Sequence, residues 1–416
     1  MGFISDNGIN TLELDLVATV ALATLLLLLG KVLRKKVNIL DKFCVPTPVI
    51  GGLLFAIIML FLKNSQIVEV SMDTTLQTPF MLAFFATVGL GTNLSLVKTG
   101  GKFLLVYWGL AGFIFVFQNF IGISVAKLTN INPLIGMMCG AISMQGGHGG
   151  AASFGATIEG LGVEGALTIG AAAATFGVIL GGLVGGPVSR YLIKKYKLKS
   201  EQELGECDEQ SSSGYEVALE DECSTVTSNI IINHISIIAI CVTVGSFIST
   251  AITNSTGVVV PTYVGAMFIG VVLRTIGDKL KIIKVDTYCV DLIGDICLCL
   301  FLTMALMTIK LWELSGLAGP MIIIISIQVI VLIIYAVFVV FRLMGRDYDA
   351  AVMVAGLLGH GLGATPNALA NMNSITSKFG DSAKALLIVP LVGSFLADLI
   401  GIPINIGLIN VLNFFA

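Results

Sequence analysis

Gly140-Ala141-Ile142-Ser143-Met144-Gln145-Gly146-Gly147-His148-Gly149-Gly150-Ala151-Ala152-Ser153 interrupts an apolar stretch, about 134–158, with glycines, small polar residues and a histidine. A second stretch, about 350–375, does the same with Gly356-Leu357-Leu358-Gly359-His360-Gly361-Leu362-Gly363-Ala364-Thr365-Pro366-Asn367-Ala368-Leu369-Ala370-Asn371. Neither reads as the unbroken run of about 20 apolar residues with which a helix crosses a bilayer. Backbone that leaves the helix at membrane depth persists only where protein or a water-filled cavity satisfies its amides and carbonyls. The pattern predicts two re-entrant hairpins whose tips reach the middle of the membrane. At such a tip the N-terminus of a half-helix offers free N–H groups and partial positive charge to an anion. Exposed carbonyls, with Ser, Thr and Asn oxygens, suit a hard cation such as Na+. The competing reading takes these glycines as packing surfaces of the small-xxx-small kind. Packing glycines recur every four residues and need no His, Gln, Asn or Pro among them, which favours the hairpins.

Composition puts the whole chain in lipid. Of 416 residues 56% are hydrophobic and 12% charged, and the mean hydropathy is +0.97. A soluble domain carries about 25% charged residues, so half the usual water-facing charge is missing. A net charge of −3 gives no electrostatic footprint for nucleic acid. Five of the eight cysteines lie in or beside apolar runs and none has zinc-site spacing, so neither disulfides nor a structural metal are expected. No nucleophile elbow, zinc-protease motif, Walker A or dinucleotide fingerprint is present, so the chain does not read as an enzyme. With no ATP site, coupling energy falls to an ion gradient.

Ten full spans are expected, roughly 12–30, 46–62, 78–97, 103–126, 165–189, 229–251, 258–276, 287–309, 318–341 and 384–412. With the N- and C-termini outside, 20 of the 23 Lys and Arg residues fall on the cytoplasmic side, leaving only Lys63, Lys127 and Lys310 outside. The polar, acidic segment 200–228 reads as a flexible cytoplasmic linker between a repeat at 1–199 and another at 229–416. Val45-Pro46-Thr47 recurs as Val260-Pro261-Thr262, the stretch Leu82–Leu90 resembles Leu298–Leu306, and Gly147-His148-Gly149 recurs as Gly359-His360-Gly361. Five spans per half is an odd number, so the second half enters the membrane in the opposite sense. The expected fold is an all-α membrane protein of two inverted-topology repeats of five helices, each with one re-entrant hairpin.

Polar residues inside the spans are candidates for the site. Asp398 lies deep in the last one, where a carboxylate needs a cation or a firm partner. Na+ coordination and a structural hydrogen bond both satisfy that need. Asp295 is a weaker case of the same kind. His148 and His360 read either as hydrogen-bond donors to a solute or the hairpin backbone, or as a proton relay. Thr87, Asn93, Gln118 and Asn119 are placed to line a cavity or to join helices.

Several stretches resemble the bacterial sodium/glutamate symporter family. They are Pro79–Leu90, Gly146-Gly147-His148-Gly149, Ala174-Thr175-Phe176-Gly177, Ala305-Leu306-Met307, Lys310–Leu314, Gly345–Val352, Gly361–Pro366 and Ala370-Asn371-Met372. The resemblance implies Na+-coupled uptake of L-glutamate, a bacterial inner-membrane location, a homodimer, and hairpin-bearing domains that move against a scaffold. It carries the substrate and ion role onto Ser143, Gly146, Gly147, His148, Gly149, Gly361, Gly363, Thr365, Asn371 and Asp398. Gln145 joins them from the first tip, and Asp398, Thr365 and Asn93 are the expected Na+ ligands. A carrier of citrate or another dicarboxylate and an anion channel are the alternatives.

Overall fold

The computed structural model describes residues 2–6, 9–37, 46–65, 68–92, 96–200, 227–258, 260–280, 285–309, 311 and 316–414. Asn93 and nearly all of the expected linker lie outside the described residues. So do Cys44, Cys207 and Cys223; the other five cysteines are free.

The chain begins with strands where only helix was expected. β1 (Gly2–Asp6) pairs antiparallel with β2 (Ile9–Leu14), and β2 pairs parallel with β3 (Val68–Met72). Thr11-Leu12-Glu13-Leu14 and Val68-Glu69-Val70-Ser71-Met72 alternate polar and apolar residues, the period of a strand with one covered face. α1 (Leu16–Lys36) therefore starts four residues later than the expected span. Its cap is Asp15, whose carboxylate accepts from the Ala18 N–H at 2.9 Å. Arg34, Lys35 and Lys36 occupy its last turn, where the helix dipole favours cations.

The helices that follow are α2 (Thr47–Asn64), α3 (Gln77–Gly91), α4 (Leu96–Leu128), α5 (Pro133–Met138), α6 (Ala141–Met144), α7 (Gly147–Gly160) and α8 (Ala166–Tyr196). Beyond the linker come α9 (Ser228–Thr256), α10 (Thr262–Leu280), α11 (Thr287–Met307) and α12 (Ala318–Leu343). The last four are α13 (Tyr348–Leu362), α14 (Thr365–Phe379), α15 (Ala383–Leu391) and α16 (Ala397–Phe414). Among the described residues eight helices are long and apolar enough to cross a membrane: α1, α2, α4 from Gly101, α8, α9, α11, α12 and α16. Two of the ten expected spans fall short of that test. α3 stops at Gly91 after 15 residues, and α10 carries Arg274, Asp278 and Lys279 within its 19. The span expected at 384–412 is α15 and α16 joined by a π-wound turn at Val392–Leu396.

The helices sort into two packed groups. In the first, α1 and α11 pack on α2, while α9 and α3 pack on α10. The Gly51 backbone touches that of Leu26, and Gly245 meets Gly265 and Ala266, approaches that any β-carbon would block. Only 22% of the apolar window of α1 and of α9 is buried, against 56% for α11, so α1 and α9 are the outer helices.

The second group is built along α8. Going down α8, Leu167 meets Gly155, Gly170 meets both Met138 and Ala151, and Gly177 meets both Met144 and Leu362. Farther on, Gly181 meets Gly359 and Gly185 meets Ala355. So α5–α6 runs parallel to the first half of α8 and α7 returns along it, while α13 runs antiparallel to the second half. α14 doubles back on α13, with Ala368 at Gly359 and Met372 at Gly356. The Tyr348 hydroxyl donates to the Gly380 carbonyl, tying the far ends of α13 and α14 together. The two antiparallel pairs thus approach from opposite ends of α8 and meet beside Gly177.

Candidate functional site

At that meeting point two helix N-termini face one cavity of about 490 Å³ between the two groups. α7 opens with Gly147 at φ +57°, a left-handed conformation that glycine adopts without steric cost. Helix geometry leaves the N–H groups of Gly147, His148 and Gly149 without partners in their own helix. The Gly150 N–H bonds back to the Gly146 carbonyl at 2.9 Å. Across the cavity α14 opens with Thr365-Pro366, and Pro in a first turn gives up an N–H that the helix does not use. Gly146 to Gly150 line the cavity from one side and Ala364, Pro366 and Asn367 from the other.

Side-chain amides hold the tips in place. Gln118 of α4 donates to the Gly361 carbonyl at 2.9 Å and accepts from Gln145 at 3.2 Å. Its neighbour Asn119 donates to Asn405 Oδ1 at 2.6 Å and accepts from the Ala141 N–H at 3.2 Å. Asn367 donates to the Val178 carbonyl at 2.6 Å and Asn371 to the Gly181 carbonyl at 2.9 Å, so both bind α14 to α8. The Thr365 hydroxyl donates at 2.8 Å to Gly393 in the π-wound turn, where the looser winding frees a carbonyl.

Of the residues expected at the site, Gly146, Gly147, His148, Gly149 and Asp398 line the cavity. Ser143, Gln145, Gly361, Gly363, Thr365 and Asn371 stand behind that surface. Ser143 donates to the Met138 carbonyl at 2.5 Å, Gly363 packs on Val178, and the rest make the bonds described above. The two histidines are not equivalent. His148 follows the first break, on the second residue of α7, whereas His360 precedes the second break, near the end of α13. His148 pairs with the Thr175 hydroxyl and His360 with the Tyr107 hydroxyl, each at 3.0 Å.

The sequence reading missed Arg34, Asn367, Asn405 and the rings of Phe84, Phe85, Phe115 and Phe154, all of which line the cavity. Arg34 adds a guanidinium to that lining. Its signal was present in the basic last turn of α1 but is indistinguishable from an ordinary topology marker. Asp295 joins Asp398 in the lining. One cavity thus combines two helix N-termini and a guanidinium, which favour an anion, with two carboxylates, which favour a cation. Its volume falls in the range of about 300–1,000 Å³ that suits a small solute.

Comparison with known proteins identifies the family. The family described as Sodium/glutamate symporter matches residues 12–381. The "Sodium/glutamate symporter" of Escherichia coli (strain K12) is 44% identical over 397 residues, covering 93% of this chain and 96% of the relative. The protein of that name from Haemophilus influenzae is 38% identical over 398 residues, covering 95% and 98%. Among solved structures, the sodium proton antiporter MjNhaP1 from Methanocaldococcus jannaschii at pH 8 is 16% identical with a TM-score of 0.43, over 96% of this chain and 98% of that one. On the family match and these identities, the chain belongs to the sodium/glutamate symporter family.

Proposed function

We propose that the protein is a secondary transporter that couples Na+ entry to uptake of L-glutamate across a bacterial inner membrane. The observation that carries this reading is the convergence of the α7 and α14 N-termini on a cavity that also holds Arg34 and Asp398. The solute's carboxylates meet the N–H groups of Gly147, His148 and Gly149, with Arg34 adding charge. Na+ is the co-transported ion, with Asp398 as its carboxylate ligand in the cavity. Ser143, Gln145, Gly361, Gly363 and Asn371 shape the tips from behind.

The two antiparallel pairs act as re-entrant hairpins, each belonging to one of two inverted repeats, 1–199 and 229–416. Support comes from the matching environments of α2, packed on α1 and α11, and α10, packed on α9 and α3. The α8-centred group carries the solute and slides against the group of α1–α3 and α9–α11, an elevator-like alternating access. The cavity lies along the boundary of the two groups, where such sliding would expose it to each side in turn. In the topology with both termini outside, Arg34 and Thr47 lie at the cytoplasmic ends of α1 and α2, which supports a mouth on the linker side. The protein works as a homodimer.

Proteoliposomes with an imposed Na+ gradient test the function. Labelled L-glutamate is expected to accumulate above equilibrium, and excess unlabelled glutamate to compete better than citrate or malate. Preferential competition by citrate would favour the dicarboxylate carrier, and equilibration without accumulation would favour a channel.

A further inference from the structure

We propose that a second cavity, at the C-terminal ends of α8 and α12, is a binding site for an anionic phospholipid. It measures about 480 Å³ and has no part in the site above. Lys195, Arg342 and Arg346 stand at its rim, and Val188, Val337 and Phe338 are among its apolar walls. The three cations and the apolar walls are separated along the helices. Eight helical steps along α8 from Pro187 to Lys195, at about 1.5 Å each, give roughly 12 Å of wall below the charge. That is the layout of a lipid, with a charged head at the membrane edge and chains running inward, where basic pockets between spanning helices bind anionic head groups.

None of the three cations has a carboxylate partner among the described residues. Lys195 donates to the Tyr191 hydroxyl at 3.0 Å and lies 5.7 Å from the Tyr196 ring centre, while Arg342 lies 5.8 Å from that of Phe338. Two backbone features hold the walls in this form. α12 is π-wound at Ala336–Val340, the turn that supplies Val337 and Phe338, and π-bulges concentrate at functional sites. Arg346 has φ +58°, a left-handed conformation uncommon for a residue with a β-carbon, and its N–H donates to the Phe341 carbonyl at 3.0 Å.

A neighbouring cavity, which shares Pro187 and Tyr191 with this one, provides the control. It is lined by Arg190, Lys194 and Lys378, with Gly186 and Ser374 in its wall, and offers less apolar surface to a chain. Native mass spectrometry of the full chain in mild detergent would titrate phosphatidylglycerol, phosphatidylcholine and the water-soluble headgroup glycerophosphoglycerol. Phosphatidylglycerol is expected to be retained at about tenfold lower concentration than phosphatidylcholine. Lys195→Gln/Arg342→Gln/Arg346→Gln should abolish that preference, and Arg190→Gln/Lys194→Gln/Lys378→Gln should keep it. Val337→Trp, which fills the apolar part and leaves every charge, should lower phosphatidylglycerol retention and so decides the matter if the triple variant does not fold. Equal loss in both triple variants, an undiminished preference in the first, or unchanged retention in Val337→Trp would overturn the proposal. So would headgroup binding as tight as the lipid's, which would mark a site for a free phosphate ester.

Discussion

The amide nitrogen of Gln118 lies 2.9 Å from the carbonyl oxygen of Gly361, joining α4 to the end of α13 across 243 residues of sequence. Both groups are buried, and the same side chain accepts from Gln145 in the opposite tip. One residue therefore spans both elements that frame the cavity. Gln118→Leu leaves the Gly361 carbonyl buried without this donor, at a cost of about 1–3 kcal/mol. The expected result is a lower unfolding midpoint in detergent together with slower Na+-driven uptake. A variant with unchanged midpoint and uptake would show that the tips do not depend on this bridge.

Gly147 and Gly149 separate conformation from space. A β-carbon at Gly147 must adopt the left-handed region, costing about 1–2 kcal/mol, although its nearest neighbour, the Gly363 carbonyl, would be 3.4 Å away. At Gly149 the backbone is helical and the Phe84 ring would be 3.6 Å away, an ordinary contact. Gly147→Ala is expected to lose thermal stability and uptake together. Gly149→Ala is expected to fold normally and raise the KM for glutamate, because its methyl group borders the solute.

Along α8, Gly177 and Gly186 form a matched pair. A methyl group on Gly177 would drive into the Leu362 carbonyl and push α13 away, whereas on Gly186 the nearest atom, Ser374 Oγ, would be 3.9 Å off. Gly177→Ala should therefore abolish uptake and lower the unfolding midpoint. Gly186→Ala should be neutral or stabilising, by up to about 1 kcal/mol of helix propensity. Equal behaviour of the two in thermal denaturation would contradict the packing of α13 on α8.

Arg34 and Asp398 carry opposite charges into the cavity, and their substitutions should separate in kinetics. Arg34→Gln is expected to raise the KM for glutamate about tenfold, the effect of losing one charge-assisted contact of about 1.4 kcal/mol. Asp398→Asn is expected to raise the Na+ concentration needed for half-maximal uptake and to flatten its Na+ dependence. Full Na+ dependence in Asp398→Asn would remove that carboxylate from the ion site.

Part of this arrangement is legible in the sequence. Broken helices at 134–158 and 350–375 follow from glycine and polar residues in apolar text, and both breaks occur, at Gly140 and Gln145-Gly146 in the first and at Gly363-Ala364 in the second. The division of labour within each tip was not legible. Thr365 and Asn371 look like solute ligands in sequence, yet their side chains are committed to the carbonyls of Gly393 and Gly181. Nothing local distinguishes a side chain that faces a cavity from one that faces a neighbouring helix four residues away. Asn405 and Arg34 reach the cavity from helices far away in sequence, so only the packed fold brings them to it. The small sheet was readable in the alternation of residues 68–72, a signal masked by the apolar character of the whole chain.

Density for the protein with L-glutamate and Na+ bound tests the central claim most directly. One solute is expected between the two tips, with a carboxylate within hydrogen-bonding distance of the N–H groups of Gly147, His148 and Gly149 and the start of α14 close by. Glutamate bound elsewhere, with both helix N-termini facing only water, would contradict it.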